Sequence, residues 1–201
     1  MKNENNSLLL VTSNAHKAEE FEALLNSTSI KRHILTLKDI GFDEEIEENG
    51  NSFSENAWIK VNALRDIWKG DILADDSGFE VQALGGSPGV ISARYAGVHG
   101  DHAANMAKVI KEMEGALNRT ACFKTVLAGH WRGQSFEFQG VIQGSVLRHP
   151  QGWGGFGYDP IFVPKNNSRS FAEMSLEEKN LLSHRGVAFD KWISWIRKSG
   201  M

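Results

Sequence analysis

Apolar residues along the chain follow two kinds of pattern, short continuous runs and stretches with helical spacing. Runs typical of strands cover residues 7–12, 33–37, 72–74, 121–128 and 135–147. Helical spacing predicts helices that begin near Asn14, Ser52, Asp101, Ser175 and Ser183. With 201 residues, of which 41% are hydrophobic, the chain is long enough for one sizeable core or a core with a lobe.

The polar residues that follow the apolar run 72–74 are the most informative part of the pattern. Gly78 supplies the backbone freedom to turn out of a strand, so Asp75, Asp76 and Ser77 are expected at the strand's end. Two adjacent carboxylates are costly there unless a cation or hydrogen-bond donors hold them, because like charges at short range disfavour joint ionisation. The pair therefore indicates a metal site or an acid/base site, and the alternative is an ordinary surface turn.

The junction between the first strand and the first helix is a candidate anion site. A tight strand-to-helix turn points the first free backbone N–H groups of the helix at whatever occupies the turn. Thr12, Ser13, Asn14 and Lys17 add hydroxyl, amide and ammonium donors at the same place. The alternative is structural: Asn14 caps the helix and Lys17 is a solvated lysine.

An acidic loop over residues 41–51 leads directly into the helix that begins near Ser52. Ser52 and Glu55 have the spacing of a capping box. Asn56 and Lys60 lie one turn apart on this helix and share a face near the loop. Most acidic loops are simply solvated, but this position makes the glutamates of the loop candidates for a site.

The glycine-rich stretch 152–157 formally matches the dinucleotide fingerprint Gly-x-Gly-x-x-Gly. That interpretation is rejected because the fingerprint must follow a strand and open a helix, whereas Pro150 precedes this stretch and Pro160 follows it. The glycines do allow the backbone to approach a ligand closely, with Phe156 and Tyr158 available to stack on a flat ring. The alternative is a loop that packs its aromatic side chains on the core.

Cations are expected at two helix beginnings in the last part of the chain. Ser175 and Glu178 form a second capping box that leads to Lys179, and His184 and Arg185 open the last helix. The helix dipole disfavours cations at such positions unless an anion or acceptor is nearby, which indicates a ligand.

Composition narrows the function classes. The formal net charge of −3 gives no basic field for a nucleic-acid polymer, although single nucleotides remain possible partners. Cys122 is the only cysteine, which excludes an intramolecular disulfide and a zinc site built on cysteines and indicates a reducing compartment. The run Leu8–Val11 is too short for a signal-peptide core and no run approaches membrane-spanning length, so we expect a cytoplasmic protein with no membrane partner.

Six short motifs, taken together, closely resemble the Ham1/inosine triphosphatase family, also called XTP/dITP diphosphatases. The motifs are Thr12-Ser13-Asn14-Ala15-His16-Lys17, Glu55-Asn56-Ala57, Asp75-Asp76-Ser77-Gly78, Ser92-Ala93-Arg94-Tyr95, Gly155-Phe156-Gly157-Tyr158-Asp159-Pro160 and Ser183-His184-Arg185. They occur in the family's order over nearly the whole chain, which is far more specific than any one motif.

The resemblance implies an α/β fold with a long mixed central sheet and flanking helices that form two lobes around a deep nucleotide-binding cleft. It also implies a single domain over residues 1–201 and a homodimer. Members of the family hydrolyse ITP, dITP and XTP to the nucleoside monophosphate and pyrophosphate with Mg²⁺, which removes non-standard purines from the nucleotide pool.

By position, the resemblance assigns the role of catalytic acid/base to Asp76. It implies that Asp76, with Asp75 beside it, and either Glu47 or Glu48 hold Mg²⁺, since the two glutamates are adjacent. Ser13 departs from the family, which often has glycine there. The substrate-binding residues that it implies are Thr12, Ser13, Asn14, Ala15, His16, Lys17, Asn56, Lys60, Ser77, Phe156, Gly157, Tyr158, Asp159, Lys179, His184 and Arg185.

Two alternative functions remain open from the sequence. A Maf-like nucleotide pyrophosphatase that acts on pyrimidines resembles this family in fold and chemistry, and a nucleotide-binding regulator would sense without cleaving. Retention of Asp75 and Asp76 beside an acidic loop argues against a pure sensor, which needs a phosphate cradle but no metal-held water.

Overall fold

The computed structural model describes residues 6–200. Within that range the helices are α1 (Ala15–Asn26), α2 (Phe53–Ala63), α3 (His102–Glu112), α4 (Leu176–Leu182) and α5 (His184–Lys198). The strands are β1 (Ser7–Val11), β2 (His33–Leu35), β3 (Asp71–Val81), β4 (Pro88–Gly89), β5 (Thr120–Trp131), β6 (Gln134–Val146) and β7 (Phe162–Pro164). No helix among these is both long enough and apolar enough to span a membrane.

The strands form one mixed sheet in the order β2-β1-β3-β5-β6-β7, with the short strand β4 paired to β3. Strand β1 is parallel to both of its neighbours. In the register of these pairings, Leu9 lies opposite Leu35 of β2 and Ile72 of β3. Strands β4 and β7 run antiparallel to β3 and β6. The expected mixed α/β architecture is confirmed, and β3 lies in the interior of the sheet.

Strand β3 is longer than its sequence suggested. The predicted turn at residues 75–78 is wrong, because the backbone continues through all four residues within an 11-residue strand. The carboxylates can be buried there because each has a cation, with Lys17 3.0 Å from Asp75 and Lys60 3.5 Å from Asp76. The carboxylate pair therefore lies inside the strand and not at its end.

Of the two predicted capping boxes, one is complete and one is half formed. At α4, Ser175 accepts a hydrogen bond from the Glu178 backbone N–H, and the Glu178 carboxylate accepts one from the Ser175 backbone N–H. At α2, Ser52 Oγ accepts from the Glu55 backbone N–H at 3.1 Å, but the Glu55 carboxylate accepts from the Asn51 backbone N–H at 2.7 Å instead of from Ser52. Glu55 thus ties the end of the acidic loop to the helix.

The chain divides into two compact units. Among the described residues, the first comprises 6–76, Thr125–Gln139 and 188–200, and the second comprises Ser77–Lys124 and Gly140–Val187. In the first unit, one apolar core surrounds Phe21 and Trp192 and another surrounds Val61 and Ile72. In the second unit the core surrounds Phe79 and Phe162. The predicted apolar stripe of α5, to which Trp192 belongs, is confirmed as part of a core.

Candidate functional site

The predicted site residues form two clusters, one within each compact unit. The first cluster consists of the β1–α1 turn with Lys17, Glu48, Asn56, Lys60, Asp75 and Asp76. The second cluster consists of Ser77, Phe156, Asp159, Lys179 and Arg185.

The β1–α1 turn is held by its own side chains. Thr12 Oγ1 accepts a hydrogen bond from the Asn14 backbone N–H at 3.1 Å, and Asn14 Oδ1 accepts one from the Lys17 backbone N–H at 3.2 Å. The capping role of Asn14 is confirmed by this second bond. The other predicted phosphate contacts on this turn, Ser13, Ala15 and His16, are exposed. The outer surface of the turn is therefore exposed, while hydrogen bonds within the turn fix its backbone.

Asp75 and Asp76 each contact a different lysine. Lys17 Nζ lies 3.0 Å from Asp75 Oδ2, and Lys60 Nζ lies 3.5 Å from Asp76 Oδ1. Successive side chains of a strand point to opposite faces, so the two adjacent carboxylates are directed apart and their repulsion is weakened. Lys17 is therefore an ion-pair partner within the first unit and not a solvated lysine, since its side chain is only 14% exposed.

Hydrogen bonds also hold Asp76, which is buried, and the strand around it. Asn56 Nδ2 donates to Asp76 Oδ2 at 3.1 Å, and Lys60 Nζ donates to the Asp75 carbonyl at 2.9 Å. Thr125 Oγ1, from β5, donates to the Asp76 carbonyl at 3.2 Å. Nothing in the sequence pattern indicates Thr125, because the contact depends on the pairing of two strands that are far apart in the chain.

The acidic loop contributes Glu48 to the first cluster. Glu48 Oε2 lies 2.9 Å from Lys60 Nζ, whereas the adjacent Glu47 is exposed. The end of the loop is fastened to α2, because the Gly50 backbone N–H donates to Asn56 Oδ1 at 2.8 Å. The structure therefore distinguishes Glu48, which contacts Lys60, from Glu47, which is exposed, whereas the sequence gives no reason to prefer either as a metal ligand.

Burial raises the pKa of Asp76 above its ordinary value, and Glu48 raises it further. Lys60, Lys17 and the hydrogen bond from Asn56 lower that pKa without cancelling the effect of burial. Burial by itself lowers the pKa of Lys60, but the neighbouring carboxylates outweigh it, so the pKa of Lys60 is raised. Burial thus leaves Asp76 with a pKa above that of an ordinary aspartate, which is the direction of shift expected for a general base in an active site.

The first cluster offers two carboxylates to a metal ion. Within residues 6–200, no group of three or more His, Cys, Asp or Glu side chains is arranged to hold a metal. Asp76 and Glu48 nevertheless share one cation, the Lys60 ammonium, while the Asp75 carboxylate contacts Lys17. Two carboxylates fit Mg²⁺, which proteins commonly hold with one or two carboxylates together with substrate phosphates and water.

Asp159 fastens the glycine-rich loop of the second unit. Its Oδ2 accepts hydrogen bonds from the Phe156 backbone N–H at 2.8 Å and from Lys179 Nζ at 2.5 Å. Gly155 is required beside it, because its φ is 67° and a Cβ there would collide with the Asp159 carboxylate. The loop leads into a single 3₁₀ turn, Asp159–Ile161, and not into the helix that a dinucleotide fingerprint needs.

The Phe156 ring of this loop contacts two cations. Lys179 Nζ lies 4.7 Å from the ring centroid and the Arg185 guanidinium carbon lies 5.3 Å from it, which are cation–π distances. The Arg185 guanidinium also donates to Ser77 Oγ at 3.3 Å. The second cluster therefore combines an aromatic ring with two fixed cations.

His184 and Gly157 are the remaining predicted residues of the second unit. The His184 ring is buried and stacks on Phe123, with ring centroids 4.8 Å apart and an interplanar angle of 11°. Gly157 lies on the glycine-rich loop with a φ of 63°, a left-handed conformation that favours glycine. The part that either residue takes in substrate binding stays a prediction.

Two expectations about the second unit are wrong. The Tyr158 ring is not available to stack on a ligand, because it stacks on Phe79 at 4.8 Å and its hydroxyl donates to the Ser92 carbonyl at 2.8 Å. Lys179 does not lie at a helix beginning but in the last turn of α4. The buried carboxylate of Asp159 stabilises the charge of Lys179, so no ligand is needed to explain the position of this lysine.

Comparison with known proteins identifies the family. The Ham1 family model matches residues 8–195, which include every residue of both clusters. The chain therefore belongs to the Ham1 family.

Individual relatives match over almost their full length. A protein of Christiangramia forsetii named dITP/XTP pyrophosphatase is 42% identical over 193 residues, which is 95% of this chain and 99% of that protein. A protein of Leuconostoc mesenteroides with the same name is 46% identical over 188 residues, or 92% of this chain and 93% of that protein. The solved structure of the Staphylococcus aureus Ham1 protein has a TM-score of 0.83 at 30% identity and covers 96% of this chain and 100% of that chain.

The raised pKa of Asp76 can be tested by NMR titration of its carboxyl carbon in metal-free protein. We expect Asp76 to titrate above the ordinary aspartate value of about 3.9, because burial disfavours its charged form. The folded state then binds the proton more tightly than the unfolded state, so this group lowers the free energy of unfolding as pH rises between the two pKa values.

Lys60→Met removes an attractive ammonium and should raise the pKa of Asp76 further. The control is Lys69→Met, because the Lys69 side chain is 68% exposed and the substitution should leave the titration unchanged. An Asp76 that titrates at or below the ordinary value in the wild type would contradict the expectation.

Proposed function

We propose that this protein hydrolyses non-standard purine nucleoside triphosphates, namely ITP, dITP and XTP, to the nucleoside monophosphate and pyrophosphate. The observation that carries the proposal is the likeness over nearly the whole chain to relatives named dITP/XTP pyrophosphatase. The proposed biological role of this hydrolysis is to remove these triphosphates from the nucleotide pool.

The first cluster has the groups that such a hydrolysis needs. The charge of the polyphosphate must be offset, a water must be positioned at the α-phosphorus, and a base must take the proton of that water. Lys17 and Lys60 supply positive charge, and the first N–H groups of α1 are available to bind an anion at the turn. Asp76 takes the proton of the water as its oxygen bonds to phosphorus, and pyrophosphate leaves with the bridging oxygen.

We propose Asp76 and Glu48 as the residues that hold Mg²⁺. Their carboxylates approach the same point, where the Lys60 ammonium lies 3.5 Å from one and 2.9 Å from the other. When bound, Mg²⁺ supplies further charge neutralisation and polarises phosphate oxygens. Glu47, which is exposed, has no part in this assignment.

The second cluster supports recognition of a purine with an oxygen at position 6. The Phe156 ring offers a stacking surface, and Arg185, Lys179 and His184 are the candidate donors to that oxygen. An adenine would set its 6-amino group against these donors and leave buried polar groups unpaired. Mismatches of this kind can reduce kcat/KM on the order of 10⁴-fold.

Neither alternative function gains support. The relatives described above are named for dITP and XTP and not for pyrimidine nucleotides. A sensor needs no acid/base group, whereas Asp76 is buried between cations with a raised pKa.

We also propose that the protein is a cytoplasmic homodimer. The dimer follows from the family resemblance. The single thiol, that of Cys122, is free and buried, which suits a reducing compartment.

Asp76→Asn is the direct test of the proposed activity. The substitution removes the proton acceptor and one metal ligand with little change of shape, so the release of pyrophosphate from ITP should fall by a factor on the order of 10² to 10⁴. Binding of ITP should survive, because Lys17 and Lys60 remain. Near-normal turnover in the variant would remove Asp76 from the mechanism, and absence of pyrophosphate release in the wild type would refute the activity.

Glu48→Gln and Glu47→Gln form a matched pair for the metal assignment. Only Glu48 lies within the first cluster, so Glu48→Gln should raise the Mg²⁺ concentration for half-maximal activity by roughly 10-fold or more. Glu47→Gln should leave it unchanged, since the two variants carry the same change of charge on neighbouring residues. Equal effects of the two substitutions would contradict the assignment.

Arg185→Ala tests the recognition of the base. If Arg185 reads the purine, its removal should lower kcat/KM for ITP more than for ATP and narrow the ratio between them. Lys17→Ala should lower both values alike, because a phosphate contact is common to all triphosphates. A weakened Arg185→Ala enzyme with an unchanged ITP-to-ATP ratio would show that Arg185 serves phosphate binding or structure instead.

A further inference from the structure

The carboxylate of Glu137 on β6 accepts two hydrogen bonds from helix α2. Its Oε2 lies 2.7 Å from Ser54 Oγ and 2.7 Å from Trp58 Nε1. Ser54 and Trp58 are four positions apart on α2, so they lie in one row along the helix. All three residues belong to the first unit.

A second contact holds Trp58 from the same hairpin, which β5 and β6 form. The indole meets the ring of His130 edge to face, with centroids 5.7 Å apart. His130 Nδ1 in turn lies 3.1 Å from Ser135 Oγ. The row of α2 that carries Ser54 and Trp58 is thus held to the hairpin by hydrogen bonds to Glu137 and by the ring contact with His130.

The other side of α2 carries Asn56 and Lys60, which are also four positions apart. They are displaced by two residues, about 200° around the helix, from the row of Ser54 and Trp58. Asn56 donates to the Asp76 carboxylate at 3.1 Å, and Lys60 Nζ lies 3.5 Å from the same carboxylate. A rotation or shift of α2 that loosens one row therefore displaces the other.

Helix α2 is held in position by contacts with the rest of the first unit, which are the packing of Val61 in its apolar core and the exposed hydrogen bonds to Glu137. It has only 11 residues, and isolated helices of that length are marginal in water. Its beginning joins the acidic loop through Glu55 and Gly50, and that loop has no regular secondary structure. Glu137 lies on a 13-residue strand of the central sheet, which is a more rigid support.

We propose that Glu137 is a positioning residue for hydrolysis, which acts by holding α2 so that Asn56 and Lys60 meet Asp76. The kinetic part of this inference rests on the proposed function. A carboxylate suits the position because one oxygen can accept from a hydroxyl and an indole at once, and the indole N–H is a donor only. Misplacement of catalytic groups by about 1 Å can cost on the order of 10²-fold in rate.

The experiment compares Glu137→Ala, Glu137→Gln and Trp58→Phe, with Gln139→Ala as the control. Trp58→Phe removes the N–H donor and keeps an aromatic ring. Gln139 is an exposed residue two positions further along the same strand, and its backbone carbonyl, which accepts from Lys191, is kept. For each variant we would measure kcat and KM for ITP at saturating Mg²⁺, the melting temperature, and the NMR signal of the Asn56 side-chain amide in metal-free protein.

Glu137→Ala should lower kcat by roughly 10- to 100-fold and shift the Asn56 amide signal, while the protein stays folded. Glu137→Gln should restore most of the rate, because its amide oxygen still accepts a hydrogen bond. Glu137→Ala combined with Trp58→Phe should be no worse than Glu137→Ala alone, since both remove the same contact. Gln139→Ala should match the wild type.

A lower melting temperature with unchanged kcat and an unchanged Asn56 signal would show a purely structural role and overturn the proposal. An effect of Gln139→Ala equal to that of Glu137→Ala would overturn it too. If the wild type released no pyrophosphate from ITP, the proposed function would fail, whereas the Asn56 signal would still decide whether Glu137 positions α2.

Discussion

The burial of Asp76 beside Lys60 is the interaction on which the first cluster depends. Each of the two side chains is 9% exposed, so each charge has lost most of its hydration. A buried charge without a partner costs about 3–5 kcal/mol, and so neither residue can be lost without penalty to the other. The pair also connects α2 to β3, which means that the position of the helix and the ionisation of the carboxylate depend on each other.

The groups with proposed chemical roles differ in how they are supported. Asp76 lies on an interior strand and Lys60 on a packed helix, where neighbouring backbone bonds restrict them. Glu48 lies on a loop, and its contacts with the cluster include the ion pair with Lys60 and, nearby in the loop, the hydrogen bond from Gly50 to Asn56. In the second unit, Asp159 fixes the glycine-rich loop, because its carboxylate accepts hydrogen bonds from both the Phe156 backbone N–H and Lys179 Nζ.

Much of the fold could be predicted because apolar spacing and helix caps are local properties. The first strand, α1 with its Asn14 cap and the stripe of α5 all follow from residues that are near each other in the sequence. The extension of β3 could not be predicted, because Asp, Ser and Gly favour turns and the lysines that offset this preference come from α1 and α2.

The same limit applies to the sites. The family motifs indicated which residues to consider, but nothing local separates Glu48 from Glu47, since both are glutamates in the same loop. The stacking role predicted for Tyr158 is wrong because the ring and hydroxyl of Tyr158 contact Phe79 and Ser92, which come from a distant part of the chain. Glu137 could not be anticipated from its neighbours, because both of its partners lie on α2.

The ion pairs of the first cluster determine what can enter it. Lys17 and Lys60 bring two positive charges, whereas Glu48, Asp75 and Asp76 bring three negative ones when ionised, so the cluster is by itself slightly anionic. A bare polyphosphate would have to displace carboxylates from both lysines and would meet net repulsion. If the proposed function holds, a divalent cation bound together with the polyphosphate would reverse the sign of the cluster's net charge and would free Lys17 and Lys60 from their carboxylates. Binding would then be an exchange of counterions, with the carboxylates paired to the metal and the lysines paired to the phosphates.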